Sequence, residues 1–145
     1  PRLLFRHLIR QLEQADLLSE ALITGLDQHR ILDLLRWTSE WSARHWGVAY
    51  TFVRPFGDDE TIPAPRVLDC LSFHLTQPNV SVILGVSGDL NHWTCVRAVE
   101  HKRLMLLDSS GLRYFSQYIF RRKRTSDTAR YPNPEGLFIL HAQRA

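Results

Sequence analysis

The apolar pattern of this chain changes period at Gly47, and that change limits the fold more than any other feature of the sequence. Before it, Leu4, Leu8 and Leu12, flanked by Phe5 and Ile9, recur every four residues and predict a first helix over 2–14. A second and longer helix is predicted from Asp27, a suitable N-cap, with Ile31, Leu34, Leu35, Thr38 and Trp41 along one side and Gly47 as its stop. Trp37, Trp41 and Trp46 form a stripe on this helix, and such spacing is read as core packing rather than as a ligand ladder.

After Gly47 the alternation is strand-like. Val48, Tyr50 and Phe52 interleave with Ala49, Thr51 and Val53, which predicts a strand over 48–53. Pro55, Gly57, Pro63 and Pro65 then break the chain into a loop whose tip carries Asp58, Asp59 and Glu60. Three acids in a row are compatible with a cation site, but no further ligand or loop geometry is specified, so a solvated loop is expected. A short helix follows from Pro65, with Val67, Leu68, Leu71 and Leu75 on its buried side and Cys70 within it. The remaining strands are expected at 81–86, 92–99, 103–108 and 136–141, with a further one in 112–120.

Helices first and strands second predict an α+β fold, with N-terminal helices packed on a C-terminal antiparallel sheet. At 145 residues the chain is expected to form a single domain, 1–145, with a helical part over 1–47 and a mainly β part over 48–145. A hydrophobic fraction of 44% is enough to build a core, and no apolar run approaches a membrane span, so no membrane insertion is expected. Cys70 and Cys95 are too few for a disulfide scaffold, which points to a reducing, cytoplasmic compartment. The chain opens on Pro1 with a helical pattern already running, and it is read as a fragment that continues upstream.

Two ligand classes are disfavoured by pattern. His74, His92, His101 and His141 are scattered, with no His-x-x-x-His or Cys-x-x-Cys spacing, so no metal is expected. The loop Gly85 to Asn91 has two glycines but lacks the rest of a phosphate-binding signature, so no nucleotide or other cofactor is expected. Arg121, Arg122, Lys123 and Arg124, beside Tyr118 and Phe120, are the one dense basic run. With 18 basic against 15 acidic residues overall, it is read as a solvated loop, and nucleic acid is not an expected partner.

The chemistry sits in 91–111. Asn91-His92-Trp93-Thr94 opens an apolar strand, Glu100-His101-Lys102 turns it, and a second apolar strand ends in Asp108-Ser109-Ser110-Gly111. If the turn is the three residues Glu100 to Lys102, Val99 faces Arg103 and Asp108 falls opposite Thr94. His92 and Asp108 then share a face as diagonal neighbours, about 7–8 Å apart at Cα, within reach of a carboxylate-to-imidazole hydrogen bond. A four-residue turn flips Asp108 away. A carboxylate-held imidazole is what proton exchange with a thiol or hydroxyl needs, whereas a plain capping role for both residues is the alternative. Trp93 is expected to pack under the hairpin rather than touch a substrate.

This pattern, from Ser81 to Tyr114, resembles the His/Asp half of papain-like cysteine peptidases, and most closely the bacterial branch that includes the bacteriocin-leader peptidases. The resemblance implies that His92 is the general base and Asp108 its orienting partner in a thiol hydrolase acting on a peptide or protein substrate. In that branch a cysteine at a helix N-terminus comes first in the chain, after a Gln that helps to form the oxyanion hole. No such pattern occurs from Pro1 to Val80. Cys70 lies about five residues into its helix among apolar neighbours, and Cys95, three residues after His92 on one strand, points to the other face. The SUMO-protease branch resembles the same His-Trp hairpin but carries its Cys after the Asp, and no cysteine follows Cys95. The resemblance therefore implies either an enzyme whose nucleophile lies upstream of Pro1, inert without it, or a relative that binds a peptide or partner without catalysis. A domain short of one packed helix exposes an apolar patch that self-association can cover, which leaves the oligomeric state open.

Overall fold

A computed structural model of the chain describes residues 2–57, 62–88, 92–116 and 131–145. The acidic triplet Asp58 to Glu60 and the basic run Arg121 to Arg124 with Tyr118 and Phe120 lie outside the described residues. The elements are α1 (Arg2–Gln14), α2 (Leu18–Ile23), α3 (Gln28–Trp46), β1 (Val48–Val53), α4 (Ala64–Leu75), β2 (Val80–Ser87), β3 (His92–Glu100), β4 (Arg103–Leu107), β5 (Tyr114–Ser116) and β6 (Tyr131–Arg144). The six strands form one sheet in the order β1-β6-β2-β3-β4-β5, and the pairs β6/β2, β2/β3, β3/β4 and β4/β5 are antiparallel. The fold is α+β. No helix among the described residues is long and apolar enough to cross a membrane.

The chain divides into two compact units, one of Pro1–Thr51 with Ala142–Ala145 and one of Phe52–His141. In the first, α3 begins as the sequence predicts: the Asp27 side chain accepts a hydrogen bond from the Arg30 N–H at 2.9 Å. It ends at Gly47, whose φ of 65° is the left-handed conformation that favours glycine. Ile31, Leu35, Trp41 and Ser42 are its buried residues. The short helix α2 is an addition to the sequence reading. The tryptophan stripe splits: Trp41 is buried, whereas Trp46 is half exposed at 49%, because the chain leaves the helix one residue later.

In the second unit, α4 sets Val67, Leu68 and Leu71 against Val82, Leu84 and Val86 of β2, Val96 of β3 and Leu104 and Leu106 of β4. Each strand contributes alternate residues, so one face of the sheet is the α4 face. On the opposite face Trp93 lies across its neighbours. A Cβ added at Gly136 would stand 3.2 Å from two atoms of its ring, and one added at Gly85 would stand 3.3 Å away. Gly85 is a strand residue of β2, as the strand expected over 81–86 has it, and not the start of the loop also expected from it; it is glycine because the indole needs the space. The register of β2 on β6 shifts between Leu84 and Gly85, which lets 134–136 stand out of the ladder. Arg54 secures that excursion by donating to the Glu135 carbonyl at 3.1 Å from Nη2 and 3.3 Å from Nε.

The turn between β3 and β4 differs from the expectation. It has two residues, His101 and Lys102, both with positive φ (48° and 61°), and Glu100 pairs with Arg103. That is the twist-matched hairpin turn, in which Asn-Gly is the favoured occupant and two side-chain-bearing residues are strained. Replacing His101 by Asn and Lys102 by Gly is expected to raise stability by about 1 kcal/mol, read as a higher midpoint in urea, since the substitutions relieve strain without altering the strands.

Candidate active site

A two-residue turn followed by a regular ladder would set Asp108 opposite Cys95 and point it away from His92. The strands avoid this by a register shift between Val96 and Ala98: Val99 pairs with Leu104 and Ala98 with Met105, but Val96 pairs with Leu106 and Cys95 with Leu107. Arg97 is the extra residue. The bulge returns the pairing to the one expected at the far end of the hairpin, so that one step further Asp108 stands against Thr94. The expected turn length was incorrect and the expected juxtaposition was nevertheless reached. A sequence signal exists for this. Val96 and Val99 both pack toward the core although they are three positions apart, an odd offset that a regular strand does not allow.

His92 and Asp108 meet as a direct pair, with His92 Nε2 at 2.6 Å from Asp108 Oδ2. The aspartate side chain has no exposed surface, while the imidazole keeps 16%. The second carboxylate oxygen is held as firmly as the first: Oδ1 accepts from the Ser110 N–H at 2.8 Å, the Ser110 hydroxyl at 2.5 Å and the Leu112 N–H at 3.4 Å. The Ser110 N–H contact is the side-chain-to-backbone turn that Asp readily makes two residues ahead of itself. Thr94 brings its hydroxyl up from the facing strand, and its single proton is shared between the carboxylate and the Leu107 carbonyl, 3.1 Å away. Sequence reasoning placed Thr94 opposite Asp108 but assigned neither it nor Ser110 a role.

These contacts set the protonation of the pair. Burial by itself raises the Asp108 carboxyl, but the bonds from the Ser110 hydroxyl, from His92, from the Thr94 hydroxyl and from the Ser110 N–H outweigh it, and the group is held well below the usual carboxylate range. An ionised carboxylate only accepts hydrogen bonds, so at the 2.6 Å contact the proton belongs to His92 Nε2. In the neutral ring the basic nitrogen is then Nδ1, through which a proton can be taken up and returned.

The two cysteines are placed differently. Cys95 pairs with Ile83 and Leu107 and, three positions from His92 on β3, points to the opposite face of the sheet. Cys70 lies midway along α4, half-buried against the core, and burial pushes its thiol up, the reverse of what an activated nucleophile needs. Trp93 packs on Gly85, Gly136 and Phe138, its ring centroid 5.7 Å from that of Phe138, on the face away from His92. Among the described residues no group of three His, Cys, Asp or Glu side chains converges as a metal site. Compared with known proteins, the chain matches no family model, no curated protein and no solved structure.

Proposed function

We propose that this chain carries the acid–base half of a papain-like thiol hydrolase, with His92 as the general base and Asp108 as the residue that orients it, acting on peptide or protein substrates in a reducing compartment, the cytoplasm. The observation that carries the reading is the 2.6 Å contact between His92 Nε2 and a carboxylate with no exposed surface. It supports proton transfer because a carboxylate that holds Nε2–H fixes the orientation and the tautomer of the imidazole. Neither cysteine of Pro1–Ala145 suits the attacking role, since Cys95 faces the other way and Cys70 is driven toward the neutral thiol; the resemblance to papain-like peptidases implies a cysteine at a helix N-terminus instead. His92 would take the thiol proton, return it to the leaving amine, and then activate water against the acyl-enzyme.

The test is mass-spectrometric alkylation with iodoacetamide of the polypeptide encoded by the parent reading frame, across pH 5 to 9, beside its His92→Ala version. One thiol outside Pro1–Ala145 that reacts fast below pH 7 and slows without His92 is the expected result. If no thiol shows that dependence, the hydrolase reading fails. The second reading then stands, a peptide- or partner-binding relative without chemistry, and the inverted environments of Cys70 and Cys95 are the observation that favours it.

A further inference from the structure

The α1–α3 unit carries a feature that the His92 site does not use. Arg2, Leu3, Trp41 and Trp46 line a cavity of about 470 Å³, within the size range of ligand sites. Its aromatic wall is rigid. His45 stacks on the Trp41 ring at 4.1 Å and 13°, and Trp46 meets that ring edge-on at 4.8 Å and 87°. His45 is itself fixed by a 2.8 Å contact between Nδ1 and the Trp41 carbonyl. Trp41 is buried, so the part of this wall that reaches solvent is Trp46, 49% exposed, beside Leu3, 68% exposed. Large apolar side chains held open in this way lose little entropy when a partner covers them.

Arg2 brings a cation to the cavity, and the helix that carries it continues the charge. Arg6 and Arg10 follow Arg2 at helical spacing, all three exposed, and α1 has no acidic residue before Glu13. The positive field is felt at His7, whose pKa is lowered first by burial and then by Arg44, His45 and Arg10, with Glu40 opposing. Glu40 is shared with Arg44 in an exposed pair at 3.9 Å. A concave apolar cavity under an arginine stripe is complementary to a chain that offers an apolar knob within an acidic sequence.

We propose that this cavity docks an acidic peptide segment that inserts one bulky apolar side chain between Leu3 and Trp46, its carboxylates meeting Arg2 and Arg6. A nucleic acid fits less well, because base stacking along a strand uses successive exposed aromatic rings and here Trp46 alone reaches solvent, Trp41 being buried.

The test uses the chain with a short fluorescein-labelled peptide of Asp and Glu around one central Phe, read by fluorescence anisotropy. Saturable binding below about 1 mM is expected, weakening about tenfold when the peptide Phe becomes Ala, when Trp46→Ala is introduced, and when Arg2→Glu and Arg6→Glu are combined. Trp46→Phe is expected to restore most of the affinity. Trp46→Ala and the arginine variants act at exposed positions, and an unchanged urea midpoint shows that they remain folded. Binding that ignores the Phe, ignores Trp46, or is displaced more strongly by phosphatidylserine vesicles or a single-stranded oligonucleotide than by unlabelled peptide overturns the proposal.

Discussion

Replacing Asp108 by Ala is expected to lower unfolding stability by about 2 kcal/mol at pH 7, because it removes charge-assisted bonds and leaves His92 without its acceptor. The Ser110 hydroxyl and N–H, the Thr94 hydroxyl and His92 Nε2–H all converge on a carboxylate without exposed surface; without it Thr94 keeps the Leu107 carbonyl and exposed Ser110 turns to water, so the loss falls mainly on His92. Asp108→Asn keeps the shape and one acceptor but loses the charge. The pH dependence follows from the direction of the shift. A carboxyl whose folded pKa lies below its unfolded one binds fewer protons in the native state, so its contribution is complete above the ordinary carboxylate range and declines as pH falls through and below about 4. Urea denaturation of the wild type and Asp108→Asn should therefore show a wide gap at pH 7 that narrows at pH 3. An equal gap at both values would mean that the carboxylate is not held ionised by these donors.

Gly136→Val is expected to destabilise the chain by about 3 kcal/mol, through overpacking rather than through glycine's backbone freedom. A Cβ at 136 stands 3.2 Å from two Trp93 ring atoms and 3.3 Å from the Gly85 Cα, so one side is backbone and cannot yield. Valine adds two more methyl groups to the same space. Either the indole leaves its seat against Phe138 or β6 separates from β2 where the ladder is already interrupted. Because Trp93 adjoins His92 on β3, either movement disturbs the strand start that positions the imidazole. The check is a double-mutant cycle with Trp93→Leu, whose smaller side chain vacates the space: the pair should lose clearly less than the two single losses together. Strict additivity would show that the clash is elsewhere.

Much of the architecture was legible from local pattern. The first and third helices follow from leucines at four-residue spacing and from the Asp27 and Gly47 caps, which act within a few residues of the chain. The His92–Asp108 pairing was legible because a hairpin links two positions sixteen residues apart through a ladder of period two. What escaped was non-local or paired in its effect. The two-residue turn at His101 and Lys102 carries no Asn or Gly to announce it, and the compensating bulge at Arg97 shows only when Val96 and Val99 are both required to face the core. The reason that position 85 is glycine shows only when Trp93 and Gly136 are seen to converge on it. The fixing of Oδ1 by Ser110 came from a turn whose side-chain bond is common for Asp, yet its consequence for the charge of Asp108 depends on burial that the sequence does not display.

Asp108 holds His92 in the tautomer that carries its proton on Nε2. The direct measurement is long-range ¹H–¹⁵N correlation NMR of the histidine rings at a pH where His92 is neutral, with Asp108→Asn as the comparison. The His92 proton is expected on Nε2, in slow exchange with water, and this preference is expected to be lost in Asp108→Asn. A proton on Nδ1, or a tautomer mixture that Asp108→Asn leaves unchanged, would contradict it.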